Sequence, residues 1–372
     1  MMINLLPMVA VVALLPIVPN IIGNFKEMPY ITTLGPLVLS APGLCVALFS
    51  PYAGHLTDKL GRRNLLLIFT LLYGLGGILP FFMTQFASLM TGRLLLGVGE
   101  AFVLTIGNTL LGDYYSTKDR STWLMIQGIV ASICGTLLLS LSGFLSKNYG
   151  WQFPFLVYSF AFIITIATYL FIFEPDRKEE IQEAAASNDK FPLPLVLKIC
   201  LTTLIASSIY FVYTFQFSVV LNSIGITDDQ QRGNYMAIAS VAVPVGALIF
   251  KFVSKYDIKW QITLIACLIG VGMIGIGLSP TIHLVIASAW IQQLGCGMTM
   301  AVLIAWALNS LPTQFRGRGM GFWSSAFFIG QFLSPFVVTG MRSLTGSLLN
   351  AFVAFGVLCL GLAVINLFIN KK

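Results

Sequence analysis

Long apolar runs recur along the whole sequence, and only a few polar residues separate each run from the next. A helix that crosses the roughly 30 Å hydrocarbon core of a bilayer needs about 20 mainly apolar residues, which is the length of these runs. Backbone N–H and C=O groups must be bonded internally in hydrocarbon, so runs of this length favour helices. The pattern therefore predicts an all-α membrane protein.

We count twelve such runs, and their boundaries carry a few residues of uncertainty. The predicted spans, numbered 1 to 12 in chain order, cover about residues 3–22, 32–52, 64–84, 87–111, 122–146, 153–173, 193–221, 234–253, 261–279, 282–309, 319–341 and 347–369.

Composition agrees with this prediction. Hydrophobic residues make up 57% of the chain and charged residues 9%, whereas an ordinary soluble domain carries about 25% charge. Soluble enzyme folds are thereby excluded. The net charge of +7 does not indicate nucleic-acid binding, because the basic residues lie in short clusters between the apolar runs.

The basic residues also predict an orientation. If both termini are cytoplasmic, sixteen of the 21 Lys and Arg residues lie inside and one, Arg93, lies within a span. This bias follows the positive-inside rule. The basic residues left outside are Lys26, Lys147, Arg232 and Arg342.

The sequence supports neither a signal peptide at the N-terminus nor a disulfide or metal-binding role for the cysteines. The first run has no preceding Lys or Arg and no following cleavage-site pattern, so we interpret it as span 1 rather than as a signal peptide. The six cysteines lie far apart inside apolar runs, without a C-x-x-C pair or a nearby His. We therefore expect no disulfide framework, no metal site and no cofactor.

A polar stretch divides the chain into similar halves. Residues 174–190 follow span 6 and are interpreted as a cytoplasmic linker, which gives an N-terminal bundle (1–173), a linker (174–192) and a C-terminal bundle (193–372). Gly97-Val98-Gly99 in span 4 is echoed by Gly295-Cys296-Gly297 in span 10. Two parallel, pseudo-symmetric six-helix bundles are an architecture of transporters.

Three motifs resemble those of the major facilitator superfamily. The segment between spans 2 and 3 reads Gly54-His55-Leu56-Thr57-Asp58-Lys59-Leu60-Gly61-Arg62-Arg63, similar to that family's G-x-L-x-D-x-x-G-R-R signature. The run from Arg93 to Ala101 and the run from Trp151 to Phe155 resemble two further patterns of the family. The resemblance implies a monomeric secondary transporter of small molecules, working by alternating access in the cytoplasmic membrane of a bacterium.

In the resembled family the aspartate of this signature faces the start of span 11. The corresponding carboxylate, Asp58, is therefore expected to form a latch between the halves. Gly54 and Gly61 would shape its loop, and the flanking arginines would anchor both sides: Arg62, Arg63, Arg316 and Arg318. The glycines near Arg318 are not interpreted as a nucleotide site, because no strand precedes them and no Lys-Ser/Thr pair follows.

Two charged side chains, Arg93 and Glu100, lie well inside a predicted span. They are seven residues apart on span 4, so they share one helix face, and both should point into the bundle or a cavity. Arg93 is either a structural clamp or a group that attracts an anionic substrate or modulates the protonation of Glu100. Glu100 either couples protons to transport or is a protonated residue that only packs.

The resemblance implies that spans 1, 4, 7 and 10 line a central cavity. Tyr210, Tyr213 and Phe217 share one face of span 7 and suit an apolar or ring-bearing ligand, although ordinary helix packing explains each residue equally well. The other predicted cavity residues are Thr105, Asn108, Trp290, Gln292 and Gln293.

The function predicted from these residues is efflux of a small apolar or amphipathic molecule against inward proton flow. A proton-coupled importer of a metabolite is the alternative, and span 5 lacks the Gly-Pro pair typical of many antiporters in the resembled family. A receptor or scaffold that has lost transport is a third hypothesis, against which the buried Glu100 argues. No hydrolase or metalloprotease motif indicates an enzyme.

Overall fold

The computed structural model describes residues 2–114, 117–173, 191–312 and 315–369. In these parts of the chain twelve helical segments are long and apolar enough to cross a bilayer, which confirms the twelve predicted spans. The predicted linker lies almost wholly outside the described residues. Eight spans are single helices: Ile31–Leu60 (span 2), Phe86–Tyr114 (span 4), Thr117–Tyr149 (span 5), Leu193–Ser223 (span 7), Ile258–Leu278 (span 9), Ile282–Ser310 (span 10), Arg316–Thr345 (span 11) and Leu348–Ile369 (span 12).

The other four spans are interrupted. Proline lacks the N–H that an α-helix needs, and each interrupted span contains at least one, although the continuous helix of span 2 accommodates three. Span 1 has short 3-10 turns at Met2–Leu5 and Leu15–Ile17 beside helices Leu6–Val12 and Val18–Asn24. The remaining segments are Arg62–Ile78 with Leu79–Phe81 (span 3), Phe153–Ser159 with Phe160–Phe171 (span 6), and Asp229–Ser240 with Ala242–Val253 (span 8).

Span 2 extends further than predicted. The sequence places its end near residue 52, whereas the helix continues to Leu60, so most of the predicted loop is helical. Gly61 makes the break, with φ of 86°, a backbone conformation that side chains with a Cβ rarely adopt. A Cβ at Gly54 would meet no atom of the described residues within 4 Å, so neither a turn nor close packing against them explains that glycine.

The packing of the first six spans repeats in the last six. Span 4 packs against spans 2 and 3, and span 10 packs against spans 8 and 9. Span 3 contacts span 6 in the same way that span 9 contacts span 12. These equivalent pairings are six spans apart, which gives the two pseudo-symmetric bundles expected from the repeat.

The two bundles meet along two seams. Spans 2 and 11 form one seam, in which the hydroxyls of Thr33 and Thr339 lie 2.6 Å apart. Spans 5 and 8 form the other, and a Cβ added to Gly143 or Gly233 would collide with backbone of the opposite span. Because the number of spans is even, residues 2 and 369 lie on one side of the molecule. We name that side the terminal face and the opposite side the distal face.

Candidate functional site

A cavity of about 250 Å³ lies between the two bundles, near the middle of the spans. Spans 1, 5, 7, 8 and 10 supply its described lining, which contains no charged side chain. Apolar side chains from span 1, such as Met8 and Val12, form one wall. The polar lining residues carry hydroxyls and one carboxamide: Ser132, Thr136, Tyr210, Tyr213, Thr214, Ser240 and Gln293. This central cavity suits an uncharged molecule, since a buried charge without a partner is costly.

Span 7 provides the aromatic wall of the central cavity. Tyr210 and Tyr213 both line it, one turn apart on the helix. The ring of Phe217 is fully buried and stacks on Tyr213, with ring centroids 4.5 Å apart, but Phe217 is not among the lining residues. Phe217 therefore packs against the Tyr213 ring on the side away from the central cavity and helps to hold the orientation of that ring.

The three residues of span 10 that were predicted to line the cavity face different parts of the structure. Gln293 lines the central cavity. Gln292 is fully buried on another face, where it packs on Gly272 of span 9 and its amide donates to the Cys296 sulfur at 3.1 Å. The indole of Trp290 donates to the carbonyl oxygen of Ile238 in span 8. Consecutive helix residues are rotated by about 100°, so Gln292 and Gln293 do not face one cavity.

A second cavity, of about 710 Å³, lies closer to the terminal face between spans 2, 4 and 11. Thr105 and Asn108, predicted for the central cavity, line this second cavity instead. Arg318 also contributes to it. We call it the terminal-face cavity, and it lies at the boundary between the bundles on the side that carries both termini.

Arg93 binds three groups inside the N-terminal bundle. Its Nε donates to the carbonyl oxygen of Val38 at 2.9 Å, and Nη2 donates to that of Ala10 at 2.6 Å. Nη1 donates to the Tyr158 hydroxyl at 2.9 Å. The side chain is fully buried and joins span 4 to spans 1, 2 and 6. This arrangement is that of a structural clamp, and Arg93 does not line the central cavity.

The interrupted span 1 is held by side chains of its neighbours. Breaks in a helix release carbonyl oxygens, which inside a membrane need other hydrogen-bond donors. Four carbonyl oxygens of span 1 accept hydrogen bonds from spans 3, 4, 5 and 7. The donor and acceptor pairs are Tyr73 to Leu6 (2.7 Å), Arg93 to Ala10 (2.6 Å), Ser142 to Ala13 (2.6 Å) and Ser218 to Pro16 (2.9 Å).

Glu100 lies two turns from Arg93, inside the N-terminal bundle. Its side chain is 3% exposed, and its Oε2 accepts no hydrogen bond from the described part of the chain. The three donating nitrogens of Arg93 are directed at Val38, Ala10 and Tyr158 rather than at this carboxyl group. Glu100 is not among the residues that line the central or the terminal-face cavity.

The side chain of Asp58 lies outside the described residues, so the predicted latch stays a prediction. The structure describes contacts or burial for the four arginines of the predicted latch. Arg63 donates to the carbonyl oxygen of Tyr169 at 2.7 Å and lies 5.4 Å from that ring. Arg316 donates to the Leu311 carbonyl oxygen. Arg318 lies 4.6 Å from the ring of Phe191, and Arg62 is buried at the start of span 3.

A polar network closes the boundary between the bundles at the distal face. Arg232 of span 8 pairs with Asp229 one turn earlier, and both side chains are buried. Asn20 of span 1 donates to the Asp229 carboxylate at 2.8 Å and accepts from Arg232. Ser146 of span 5 also donates to Asp229. We call these four residues, together with Asn222, which accepts from Arg232 at 2.9 Å, the distal network.

Sequence reasoning missed the distal network. It placed Arg232 among the external basic residues but assigned it no partner. The i, i+3 spacing of Asp229 and Arg232 was a usable signal for their ion pair. Asn20 and Ser146 come from distant segments, and nothing in the sequence links them to that pair.

Comparison with known proteins agrees with the fold. The family model "Major Facilitator Superfamily" matches residues 2–284. The "Putative metabolite transport protein YyaJ" of Bacillus subtilis is 23% identical over 85% of this chain and 77% of its own length. "Multidrug resistance protein 2" of Bacillus subtilis is 26% identical over 69% of this chain and 66% of its own length.

Among solved structures, that of a "D-xylose-proton symporter" superposes with a TM-score of 0.80, covering 98% of this chain and 94% of the other, at 13% identity. At that identity the similarity concerns the fold alone. The family model, by contrast, covers most of the chain. The protein therefore belongs to the major facilitator superfamily and is a multi-pass membrane transporter rather than an enzyme.

Proposed function

We propose that this transporter exports a small uncharged molecule, apolar or amphipathic, in exchange for inward-moving protons. The observation that carries the proposal is the lining of the central cavity, in which two tyrosine rings and several hydroxyls stand among apolar side chains without a described charge. Such a lining can stack on aromatic rings and form hydrogen bonds with a polar group of the substrate. A charged substrate would find no described side chain of opposite charge in it. The similarity to a multidrug resistance protein favours export over import.

The conformation supports alternating access. At the distal face the bundles are joined by the distal network, whereas the terminal-face cavity leaves a gap between spans 2, 4 and 11. We therefore infer that this conformation is open toward the terminal face. We place that face in the cytoplasm, because most basic residues outside the spans lie there, and we place the protein in the cytoplasmic membrane of a bacterium.

Glu100 is the residue that we propose to carry the coupling proton. Its Oε2 is buried without a hydrogen bond, and an ionised carboxylate in that position would be unstable. The nearby guanidinium of Arg93 is held by other acceptors and does not pair with it. We therefore propose that Glu100 holds a proton in this conformation and releases it when rocking of the bundles changes its surroundings.

Transport in proteoliposomes tests the substrate class. The purified protein is reconstituted with a pH-sensitive dye inside, and uncharged, cationic and anionic aromatic amphipaths of similar size are compared. We expect a pH change of the antiport sign with the uncharged probes alone. Transport confined to anionic probes, or a pH change of the symport sign, would contradict the proposal.

Cysteine labelling tests the orientation. In a cysteine-free background Ser187→Cys in the linker should resist a membrane-impermeant maleimide added to intact cells. The matched control Lys26→Cys, which is exposed at the distal face, should react. The reverse pattern would show that the terminal face is external.

A further inference from the structure

The seam between spans 5 and 8 is closed at one end and open at the other. Near the distal face a Cβ at Gly143 would collide with the backbone of Asp229, and one at Gly233 with the backbone of Leu139. Among the described residues, span 5 packs along the first helix of span 8 but makes few contacts with the second, Ala242–Val253. The interruption of span 8 at Val241 thus separates the two spans toward the terminal face.

A crevice of about 250 Å³ occupies this separation on the outer side of the seam. Ile129, Ile133 and Val241 line it, and their side chains are exposed where lipid surrounds the protein. Ser132 and Thr136 line both this crevice and the central cavity. The crevice and the central cavity are therefore separated by a wall of two small hydroxyl side chains from span 5.

One hydrogen bond crosses the seam at that wall. The hydroxyls of Thr136 and Ser240 lie 2.9 Å apart. Each hydroxyl also has an alternative acceptor for its single proton on its own span: the Ser132 carbonyl oxygen lies 3.0 Å from the Thr136 hydroxyl, and the Ala237 carbonyl oxygen lies 2.8 Å from the Ser240 hydroxyl. Separation of the two hydroxyls leaves neither proton unpaired, so opening at this point costs little.

We propose that the seam between spans 5 and 8 is a lateral portal, through which an uncharged amphipath dissolved in the bilayer enters the central cavity. The apolar crevice receives the apolar part of the molecule, and the hydroxyls of Ser132, Thr136 and Ser240 offer hydrogen bonds to its polar group as it passes. The substrate class rests on the function proposed above, whereas the route follows from the shared wall of the crevice and the cavity.

Photolabelling with and without a cross-link tests the portal. Thr136→Cys and Ser240→Cys are combined in a cysteine-free background, and their oxidation bridges the seam. A neutral long-chain alcohol bearing a diazirine is dissolved in the proteoliposome lipid, and labelling of Tyr210 and Tyr213 is measured by mass spectrometry. Oxidation should lower that labelling by roughly tenfold or more, because a covalent bridge removes the open state.

The control is the same treatment of Thr33→Cys with Thr339→Cys. That pair bridges the bundles through hydroxyls 2.6 Å apart at the other seam, so it restrains rocking but leaves the portal intact. Labelling of the two tyrosines should survive this cross-link. Equal labelling before and after the Thr136–Ser240 cross-link would overturn the proposal and would indicate entry through the terminal-face cavity.

A second pair of variants needs no cross-link. Ile133→Trp fills the crevice from the lipid side, and Ile133 does not line the central cavity, so labelling of the tyrosines should fall several-fold. Leu141→Trp lies two turns further along the same exposed face of span 5 and should have no effect. Equal labelling in both variants would also refute the portal. Because labelling requires no transport, a labelled protein that exports nothing would refute the proposed export instead.

Discussion

Arg232 of the C-terminal bundle donates a hydrogen bond to the side-chain oxygen of Asn20 in the N-terminal bundle, while its guanidinium also pairs with Asp229. Asn20 returns a hydrogen bond to the same carboxylate at 2.8 Å. Three side chains thus form a closed ring of charge-assisted bonds across the boundary between the bundles. Such bonds are roughly twice as strong as neutral ones, so the ring favours the conformation in which the distal face is closed.

Arg232→Gln should therefore shift the protein toward opening at the distal face. A loss of about 1.4 kcal/mol from the closed state changes the population ratio tenfold. The readout is labelling of Leu15→Cys, which lines the central cavity, by an impermeant maleimide from the distal side in a cysteine-free background. The rate should rise about tenfold. Arg342→Gln, at the distal end of span 11, is the matched control, and equal acceleration in both variants would contradict the role of the ring.

Arg93→Lys should destabilise the N-terminal bundle. A lysine amine cannot reproduce the planar fork that reaches Val38, Ala10 and Tyr158 together, so at least one buried acceptor loses its donor. Each such loss costs about 1–3 kcal/mol. The measurement is the temperature at which half of the detergent-purified protein is unfolded. Arg342→Lys, at an exposed position in the last turn of span 11, should lose much less, and equal losses would argue against the clamp.

Much of the fold follows from sequence because a bilayer permits few alternatives. Apolar runs of sufficient length must become helices, and the polar stretch after span 6 divides the twelve runs into two sets of six. The echoed glycines of spans 4 and 10 also indicated the repeat. The first and second glycine of each pair, however, pack against non-equivalent neighbouring spans. Gly97 approaches span 2 and Gly99 approaches span 3, whereas Gly295 approaches span 9 and Gly297 approaches span 8.

The residues of the candidate site could be predicted less well from the sequence than the fold. Residue type indicates that a polar side chain avoids lipid, but it does not say which interior surface receives it. Gln292 and Gln293 are neighbours of identical chemistry, and one contacts span 9 while the other lines the cavity. Spans 5 and 8 supply much of the lining, which reasoning confined to spans 1, 4, 7 and 10 did not include.

The ion pair between Lys147 and Asp228 should make a pH-dependent contribution to stability. The hydrogen bond from Lys147, 2.7 Å away, and the backbone N–H of Gln231 hold the pKa of Asp228 below its usual range. A lowered carboxyl pKa stabilises the fold at neutral pH, and this contribution disappears as the pH falls through the lowered value.

Asp228→Asn tests this contribution, because asparagine retains helix capping at the start of span 8 and removes the charge. The side chains of Lys147 and Asp228 are 46% and 27% exposed, so the effect at neutral pH should not exceed about 1 kcal/mol. The melting temperatures of wild type and variant should converge on acidification. A difference in melting temperature that grows at low pH would contradict a stabilising contribution from ionised Asp228.

Glu100→Gln should abolish proton-driven accumulation while preserving substrate binding. Glutamine keeps the shape and a hydrogen-bond donor but cannot titrate. Counterflow of labelled against unlabelled substrate needs no net proton movement, so it should continue in the variant, whereas transport driven by a pH gradient should stop. Glu27→Gln, in the exposed loop after span 1, is the control and should retain both activities. If gradient-driven transport continues undiminished in Glu100→Gln, Glu100 is structural and another group carries the proton.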